Sequence, residues 1–328
     1  MMKKSIIVLL AGLLAILMMG CGSKNESNKA YQPESNIDWI VTSSPGGGSD
    51  IYTRMISDIL TSEKFIGDST VIVTNKTDGN GEVGRNEVAH LKGKRADNTL
   101  LTFNSGDLIP MIQNTKNRAA NFKILAIMAV DKQILLKSKG TKYETFVEAI
   151  EAAKNGQEVI IGGSKGDDIE TYKALLEEIK VSPEKMKYIT YNSTGDAITA
   201  ALGNHIEFVI AKPAASTEYI TAGDLYPVLA LSKERYAGSL ADTPTLSEIG
   251  DYADVEVPVW RGIAAAGNMS DQAVKFWSET FKKVSETEKW KKDYLEKNKL
   301  INNYLTAEEA TKYVSEYEKA YMEAKGIK

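Results

Sequence analysis

Ile40-Val-Thr-Ser-Ser-Pro-Gly-Gly-Gly-Ser-Asp50 is the stretch on which the reading of this chain turns. Ile40 and Val41 read as the end of a buried strand, Ser43 to Gly48 as a tight glycine-rich turn, and Ser49 or Asp50 as the cap of a following helix. Ile51, Tyr52, Met55, Ile56, Ile59 and Leu60 then recur at helical spacing, which gives that helix one apolar face. A strand, a glycine turn and a helix N-terminus in series aim several backbone N–H groups at one point. The helix dipole adds partial positive charge there. Such a point suits an anion. The same residues also fit a plainer reading, the first turn of an α/β domain with glycines present for steric reasons.

The chain has 328 residues, enough for two lobes of ordinary size. Its apolar fraction of 43% and charged fraction of 26% are those of a soluble globular protein. The net charge of −4 becomes −6 once Lys3 and Lys4 are removed with the leader described next, which gives no support to nucleic-acid binding. Cys21 is the only cysteine, so there is no intrachain disulfide and no cysteine-based zinc site. His90 and His205 are the only histidines and read as surface or packing residues.

Lys3-Lys4 followed by the apolar run Ile6 to Met19 has the form of a signal-peptide core, too short to span a membrane comfortably. The run ends Leu17-Met18-Met19-Gly20-Cys21, and a small residue before a cysteine at that place resembles a bacterial lipobox. The resemblance implies cleavage before Cys21 and lipid on Cys21. An ordinary signal peptide with an incidental cysteine is the alternative. Residues 21–36, rich in Ser, Asn and Lys, read as a flexible tether.

Strands are expected at Asp38–Val41, Thr70–Val73 and Thr99–Phe103, with further candidates at Ile124–Val130 and Gln133–Lys137. The unit strand, small polar turn, helix recurs, which argues for a mostly parallel sheet. A second lobe is expected after Lys139-Gly140, with the turns Gly162–Asp168 and Tyr191–Asp196 after its own strands. Either the strand at Leu225 or the one at Trp260 begins the return to the first lobe, and Val274–Ile301 and Ala307–Ala324 read as long amphipathic helices. The expected division is 1–20 leader, 21–36 tether, 37–138 first lobe, 139–258 second lobe, and 259–328 the return with the C-terminal helices. In open α/β sheets, ligands bind at the carboxyl ends of the strands, where these turns lie.

Gly79, Gly81 and Gly84 match a dinucleotide G-x-G-x-x-G, but after the second strand and with nothing later that looks like a hydride-transfer site. There is no P-loop lysine, no G-x-S-x-G elbow and no metal-ligand spacing, so neither a cofactor nor a metal is expected. Asp78, Asp167, Asp168 and Asp196 sit in turns and leave carboxylate-only chemistry open, although such residues are common helix caps. The pattern favours binding over catalysis.

Several segments resemble, in order, the substrate-binding subunit of tripartite tricarboxylate transporters, the TctC or Bug type. Ser43–Asp50 is similar to that family's first-lobe carboxylate loop, and Asn75-Lys76 through Gly84 to its Asn-Lys-Pro-Gly-Ala-Gly-Gly segment. Ala96–Leu101, Tyr191–Asp196 with Ala200–Glu207, Asp242–Glu248 and Val259–Gly267 resemble four further motifs. Each is weak alone; their order along the chain is specific. The resemblance implies an α/β, two-lobed periplasmic-binding-protein fold (type II-like) with a hinge and an interlobe cleft. It implies a lipid-anchored extracytoplasmic receptor that takes up a small organic acid and hands it to large and small membrane permease subunits. By the same resemblance Ser43, Ser44, Pro45, Gly46, Gly47, Gly48, Ser49 and Asp50 would hold a carboxylate from the first lobe. Tyr191, Asn192, Ser193, Thr194 and Gly195 would close on it from the second. Asp78, Gly79, Asn80 and Ser105 in the first lobe, and Ser164, Gly166 and Asp167 in the second, complete the candidate ligand-binding turns.

Asp78 and Asn80 stand where the family usually has glycine, Asp167 and Asp168 in a turn that is often neutral, and Ala211-Lys212 where many members have an aspartate. The acidic turns are expected to disfavour a tricarboxylate and favour a smaller acid, or one that also carries a cationic or hydroxyl group. Lys212 is the expected side-chain contact, with Trp260 or Arg261 shaping the cleft. Two other readings stay open: a sensor whose lobes touch a histidine kinase, and an extracytoplasmic enzyme using aspartates.

Overall fold

The computed structural model describes residues 31–298 and 300–327. The leader, Cys21 and the tether as far as residue 30 lie outside the described residues. The last part of the expected tether is docked on the body. Pro33 is buried and its carbonyl accepts a hydrogen bond from Ser69 Oγ (3.1 Å), while Asn36 Oδ1 accepts one from Thr70 Oγ1 (3.0 Å).

The first lobe opens with β1 (Ile37–Val41), α1 (Gly48–Ser62), β2 (Val71–Asn75), α2 (Glu82–Ala89), the single turn α3 (Lys94–Asp97), β3 (Thr99–Asn104), α4 (Ser105–Asn114) and β4 (Phe122–Asp131). The second contains β5 (Gln133–Ser138), α5 (Phe146–Lys154), β6 (Val159–Ser164), α6 (Asp167–Ile179), β7 (Met186–Tyr191), α7 (Thr194–Leu202), β8 (Phe208–Ala211), α8 (Pro213–Ala222) and β9 (Leu225–Leu231). The chain returns through β10 (Val259–Ala266), α9 (Asp271–Glu286), a π-helix (Lys289–Glu296), β11 (Ile301–Leu305) and α10 (Ala307–Lys325). Among the described residues no helix is long and apolar enough to cross a membrane.

Two sheets result, with strand orders β11-β4-β10-β3-β1-β2 and β7-β6-β8-β5-β9. The expected two-lobed α/β organisation is observed, but the sheets are mixed rather than mostly parallel. β1 runs parallel to β2 and β3, and β6 parallel to β7 and β8, each pair joined through helices. β10 is antiparallel to β3 and β4, β11 to β4, and β5 to β8 and β9. The strands that carry the chain between lobes enter each sheet from the opposite direction and need no helical crossover there. The first passage is at Lys132, between β4 and β5. Thus β5, assigned by the sequence to the end of the first lobe, pairs in the second sheet. The return lies between β9 and β10.

The central strands β3, β4 and β10 carry the first core. All of β3 and β10 is buried, and Phe103, Phe122 and Trp260 pack ring on ring between them. Burial of each such side chain contributes roughly 1.5–3 kcal/mol. Two clusters cover the faces of the second sheet, one around Phe146, Leu175 and Phe208, the other around Ile134, Ile198 and Val209. Trp260 is therefore a core residue, packed edge-on against Tyr313 and Tyr317 of α10, and does not shape the cleft.

The expected single helix from Val274 to Ile301 is broken. Thr287 is extended (φ −68°, ψ 146°) and ends α9. Its hydroxyl accepts the Trp290 N–H (3.2 Å), and the π-turns that follow bury Trp290 and Tyr294 as a stacked pair. β11 then pairs with the edge of β4. Charged residues at Lys289, Lys291 and Lys292 masked this break, because their spacing suits the exposed face of either helix type.

Candidate functional site

β1 ends at Val41, and the next residues form the turn Ser43–Gly47 before α1 begins. The cap position is Gly47, with no side-chain cap, rather than Ser49 or Asp50. Asp50 still serves the turn from inside the helix. Its buried carboxylate accepts the Gly46 N–H (3.0 Å), Asn75 Nδ2 (3.0 Å) and Arg54 Nε (3.0 Å). Burial alone would raise its pKa; Arg54, the Gly46 N–H and Asn75 outweigh burial and the net shift is downward. Asn75 Nδ2 also donates to Ser43 O (2.9 Å), which ties the turn to β2. In the third strand–helix unit, Asn104 and Asp107 form a capping box at the start of α4.

The second lobe presents the same construction twice. β6 leads through Lys165-Gly166 into α6, and β7 through Asn192-Ser193 into α7, where Ser193 Oγ accepts the Asp196 N–H (3.1 Å). The starts of α1, α4, α6 and α7 meet around one cavity of about 50 Å³. The lobes touch across it. Ser44 Oγ donates to Asp196 Oδ2 (2.8 Å), and Lys165 Nζ to the Thr42 carbonyl (2.9 Å). A side chain on Gly47 would start 2.8 Å from Ser193 Cβ, and one on Gly166 would start 2.6 Å from Gly106 Cα. Nothing larger than glycine allows the walls to come this close, which is the steric reason for those residues.

Three buried cations, Lys165, Lys212 and Arg261, line the cavity, and a fourth, Arg85, lies behind Asp107. Arg85 Nη1 pairs with Asp107 Oδ1 (3.1 Å), which also accepts the Thr42 hydroxyl. Arg261 pairs with Asp131 and lies over the Tyr52 ring, 5.7 Å from its centroid. Lys212 Nζ is held by Asp167 (2.6 Å) and Asp168, and Gln133 Nε2 donates to Asp168 as well. Lys165 has no ion-pair partner among the described residues, and its one hydrogen bond is to the Thr42 carbonyl. Burial would lower the Lys212 pKa, but the two aspartates outweigh it and raise it. Burial pushes the Asp167 carboxyl up to about 6, against the pull of Lys212 and with the help of Asp168. Lys165 is lowered to about 8, chiefly by burial. Ser43 Oγ and Arg261 Nε are buried there with no hydrogen-bond partner, as is Ser105 Oγ at the head of α4.

The structure brings many of the sequence-predicted positions to this cavity. Ser43, Gly48 and Ser49 line it from the first lobe, and Ser164, Asp167, Asn192, Ser193, Thr194 and Lys212 from the second. Ser44, Pro45, Gly46, Gly47, Gly166 and Gly195 form the seam between the lobes or its immediate flank; Gly195 faces the Gly46 carbonyl. Ser105 lies buried at the head of α4, Asp50 points back into its own turn, and the Tyr191 ring packs under the second sheet against Gly162. Asp78, Gly79 and Asn80 are not brought there. Asp78 is exposed, and Gly79 and Asn80 border a separate small cavity beside Arg85 and Pro110. Lys212, expected as the free side-chain contact, has its charge taken by two aspartates. Asn104, Gly106, Asp107, Lys165 and Val259 line the cavity without having been singled out. The small polar turns Asn104–Asp107 and Gly162–Asp168 contained the signal for most of them. Val259 had none.

Among the described residues no group of three or more His, Cys, Asp or Glu side chains is placed to hold a metal ion. The cavity is a partly open space between two lobes, lined mainly by polar and charged residues.

The chain is similar to known proteins in sequence and in fold. Residues 55–324 match the family model described as the tripartite tricarboxylate transporter family receptor. The chain is 23% identical over 263 residues to the UPF0065 protein in the tcbD-tcbE intergenic region of Pseudomonas sp. (strain P51), covering 78% of this chain and 75% of that one. The periplasmic binding protein BugD superposes with a TM-score of 0.78 at 18% identity, covering 90% of this chain and 99% of that one. MatC from Rhodopseudomonas palustris with bound malate superposes with a TM-score of 0.74 at 16% identity, covering 88% and 99%. An R. palustris protein with adipate gives a TM-score of 0.77 at 17% identity, covering 89% and 96%. With the family model spanning most of the chain, and two lobes closing on a polar cavity, the chain belongs to the tripartite tricarboxylate transporter family of receptors.

Proposed function

We propose that this protein is an extracytoplasmic receptor, anchored by lipid on Cys21, that captures a small organic carboxylate in the interlobe cavity. It then delivers that acid to the large and small membrane subunits of a tripartite transporter. The observation that carries the reading is the meeting of four helix N-termini, two from each lobe, at one cavity lined mainly by polar and charged residues. First-turn N–H groups have no acceptor within their own helix and favour negative charge. In α1 the first intrahelical bond is Ile51 N–H to Gly47 O (3.0 Å), so the N–H groups of Gly48 and Ser49 precede it. The Ser43 hydroxyl, buried and unpartnered, supplies a further donor. Hydrogen bonds to a charged acceptor contribute about 1.5–3 kcal/mol each, so a few suffice for the roughly −8 kcal/mol of micromolar binding after ordering costs.

In this reading Ser43–Ser49 hold a carboxylate from the first lobe and Ser193–Gly195 close on it from the second. The malate and adipate of the two R. palustris structures support an acid as the ligand class. Closure couples to binding because only the closed form makes both sets of contacts.

A thermal-shift panel on the soluble body, from Ser35 onward, tests the ligand class. It compares mono-, di- and tricarboxylates with sugars and amines. A ligand at a hundred times its Kd stabilises by about 2.7 kcal/mol, so one class of acid is expected to shift the transition by several degrees. A response to a sugar or amine with none to any acid sinks the proposal. Mass spectrometry of the processed protein, with Cys21→Ala as control, tests the anchor.

A further inference from the structure

We propose that Glu170 is a positioning residue. Its carboxylate docks the start of α6, one wall of the cavity, onto the C-terminal helix of the first lobe, and this latch maintains a closed population of the free protein. The inference goes beyond the receptor reading and is tested without a ligand, so either one can fail alone.

Glu170 lies in the first turn of α6, in the second lobe. Lys165 and Asp167, just before it, line the cavity. Its side chain is only 10% exposed, and the first lobe supplies partners from two helices. Lys325 Nζ of α10 pairs with Oε2 (2.8 Å), and Gln113 Nε2 of α4 donates to Oε1 (3.5 Å). Gln113 Nε2 also donates to the Tyr321 hydroxyl (2.6 Å), whose own proton is left for Glu170. Burial and the Glu170 carboxylate beside it raise the Tyr321 pKa, so that proton stays on. Within α6, Lys173 supplies a local partner (2.9 Å). Burial alone would raise the Glu170 pKa; the bonds to Lys325 and Lys173 outweigh it, and the net shift is downward. The carboxylate is therefore ionised at neutral pH.

The partner helix is fixed to its own lobe. Tyr317, Tyr321 and Lys325 recur every four residues and form one stripe along α10. Tyr317 stands edge-on to Trp260 in the first core, with 6.0 Å between ring centroids. Ile327, just past the Gly326 cap, packs against the same core. On the other side, the Glu170 N–H donates to the Gly166 carbonyl (3.2 Å), in the turn whose glycine meets Gly106 of α4. Glu170 thus joins a helix end held by the first lobe to the turn that forms the cavity wall.

The chain passages between the lobes lie elsewhere, at Lys132 and between β9 and β10, so this junction is non-covalent and opens with the lobes. Hydrogen bonds to a largely buried carboxylate are stronger than an exposed ion pair. When a partner is removed, the closed form keeps a buried charge that has lost its compensation, whereas opening returns Glu170 to water. A plainer role is also available to an acid in this position, since Glu170 and Lys173 together favour the first turn of α6. That role involves α6 alone. Lys325 lies outside α6, and its loss matters only if the contact across the lobes matters.

The chain from residue 22 onward contains no cysteine, so a pair can be introduced for spin labels. Val83→Cys on α2 and Thr199→Cys on α7 are both exposed, one in each lobe. Pulsed dipolar spectroscopy of the free protein then reads the populations of a short, closed distance and a long, open one. The native protein is expected to show the short distance. Lys325→Gln and Glu170→Gln should each lower the closed-to-open ratio by about fivefold or more, the worth of one hydrogen bond to a charged group, and together no further than either alone. Lys325→Arg should retain the ratio. Lys173→Gln, which breaks only the pair within α6, should leave it near the native value. Circular dichroism establishes that each variant is folded. A native protein that shows only the long distance overturns the proposal, and so does a Lys325→Gln variant with the native distances. An effect of Glu170→Gln that Lys173→Gln reproduces and Lys325→Gln does not also overturns it, since Glu170 then acts inside α6.

Discussion

Lys212 sits between two aspartates, and the three groups together carry one excess negative charge. Asp167 relieves it by holding its proton to about pH 6. The carboxyl pKa is raised in the folded protein, so the folded state binds the proton more tightly than the unfolded chain. Its contribution to stability is fully present below the ordinary pKa of 3.8 and is lost as pH rises through 6. Lys212→Met removes the only cation in the group and leaves two buried carboxylates facing each other. We expect a loss of about 3–5 kcal/mol at pH 8, with a smaller loss at pH 5, where Asp167 takes up its proton. Urea titrations at both pH values check this; an equal loss at both would mean that Lys212 acts through packing alone. Gly47 makes a different residue-scale point. Gly47→Ala adds one methyl carbon 2.8 Å from Ser193 Cβ, in a backbone conformation (φ −74°, ψ 162°) that alanine tolerates. The free protein should melt within about 2–4 °C of the native one, the worth of one kcal/mol at this size, since the closest clash lies across the seam and the turn itself meets the new methyl at 3.2 Å from Ser44 O. Ligand affinity should fall at least tenfold, measured by titration.

At the scale of elements, the candidate site is built from helix starts, two of which, those of α4 and α7, carry side-chain caps. Ser193 Oγ accepts the Asp196 N–H in the first turn of α7, and the Asp196 carboxylate accepts the Ser44 hydroxyl of the opposite lobe. Ser193→Ala removes a cap and should cost about 1 kcal/mol of stability. It should also loosen the orientation of Asp196, so affinity falls further than stability alone accounts for. Calorimetric melting of free protein, together with ligand titration, separates the two effects. The π-helix is a second element whose role is mechanical. It turns Trp290 and Tyr294 into the body and delivers β11 to the free edge of β4. Trp290→Ala should cost about 3–5 kcal/mol without changing ligand preference.

At the scale of the molecule, two chain passages join the lobes, one at Lys132 and one between β9 and β10. Among the described residues the polar contacts between the lobes include Ser44 to Asp196 and Lys165 to Thr42 across the cavity, with Lys325 and Gln113 meeting Glu170 (2.8 and 3.5 Å) and Lys297 meeting Glu218 (3.6 Å) farther out. Ser44→Ala deletes one bond made only on closure. Its expected effect is a loss of about 1 kcal/mol in ligand affinity, seen mostly as faster dissociation in stopped-flow traces, with the melting of free protein unchanged. A slower association with unaltered dissociation would place the Ser44 contact in the encounter step instead.

The sequence by itself determined the parts whose cause is local. Ile40–Asp50, Gly162–Asp168 and Tyr191–Asp196 announce a strand end, a small polar turn and a helix start. Each rests on periodicity, capping residues and glycine within about a dozen positions of one another. Repetition of that unit made two α/β lobes and their anion-suited turns readable, and the order of motifs from Ser43 to Gly267 pointed to the family. The pairing of distant residues was decided only by the tertiary structure. Arg261 meets Asp131 across 130 positions, and Lys165 meets Thr42 across 123. Which cation pairs with which carboxylate depends on those meetings. Lys212 and Lys165 are alike as residues; two aspartates beside one and a bare carbonyl beside the other make the difference. Asp78–Asn80 look in sequence like the other polar turns, yet Asp78 is exposed and Gly79 and Asn80 border a different cavity. The place of β5 in the second sheet was equally invisible, because an apolar strand carries no mark of which neighbour will pair with it. Local chemistry sets the elements, and long-range packing sets which of their ends converge.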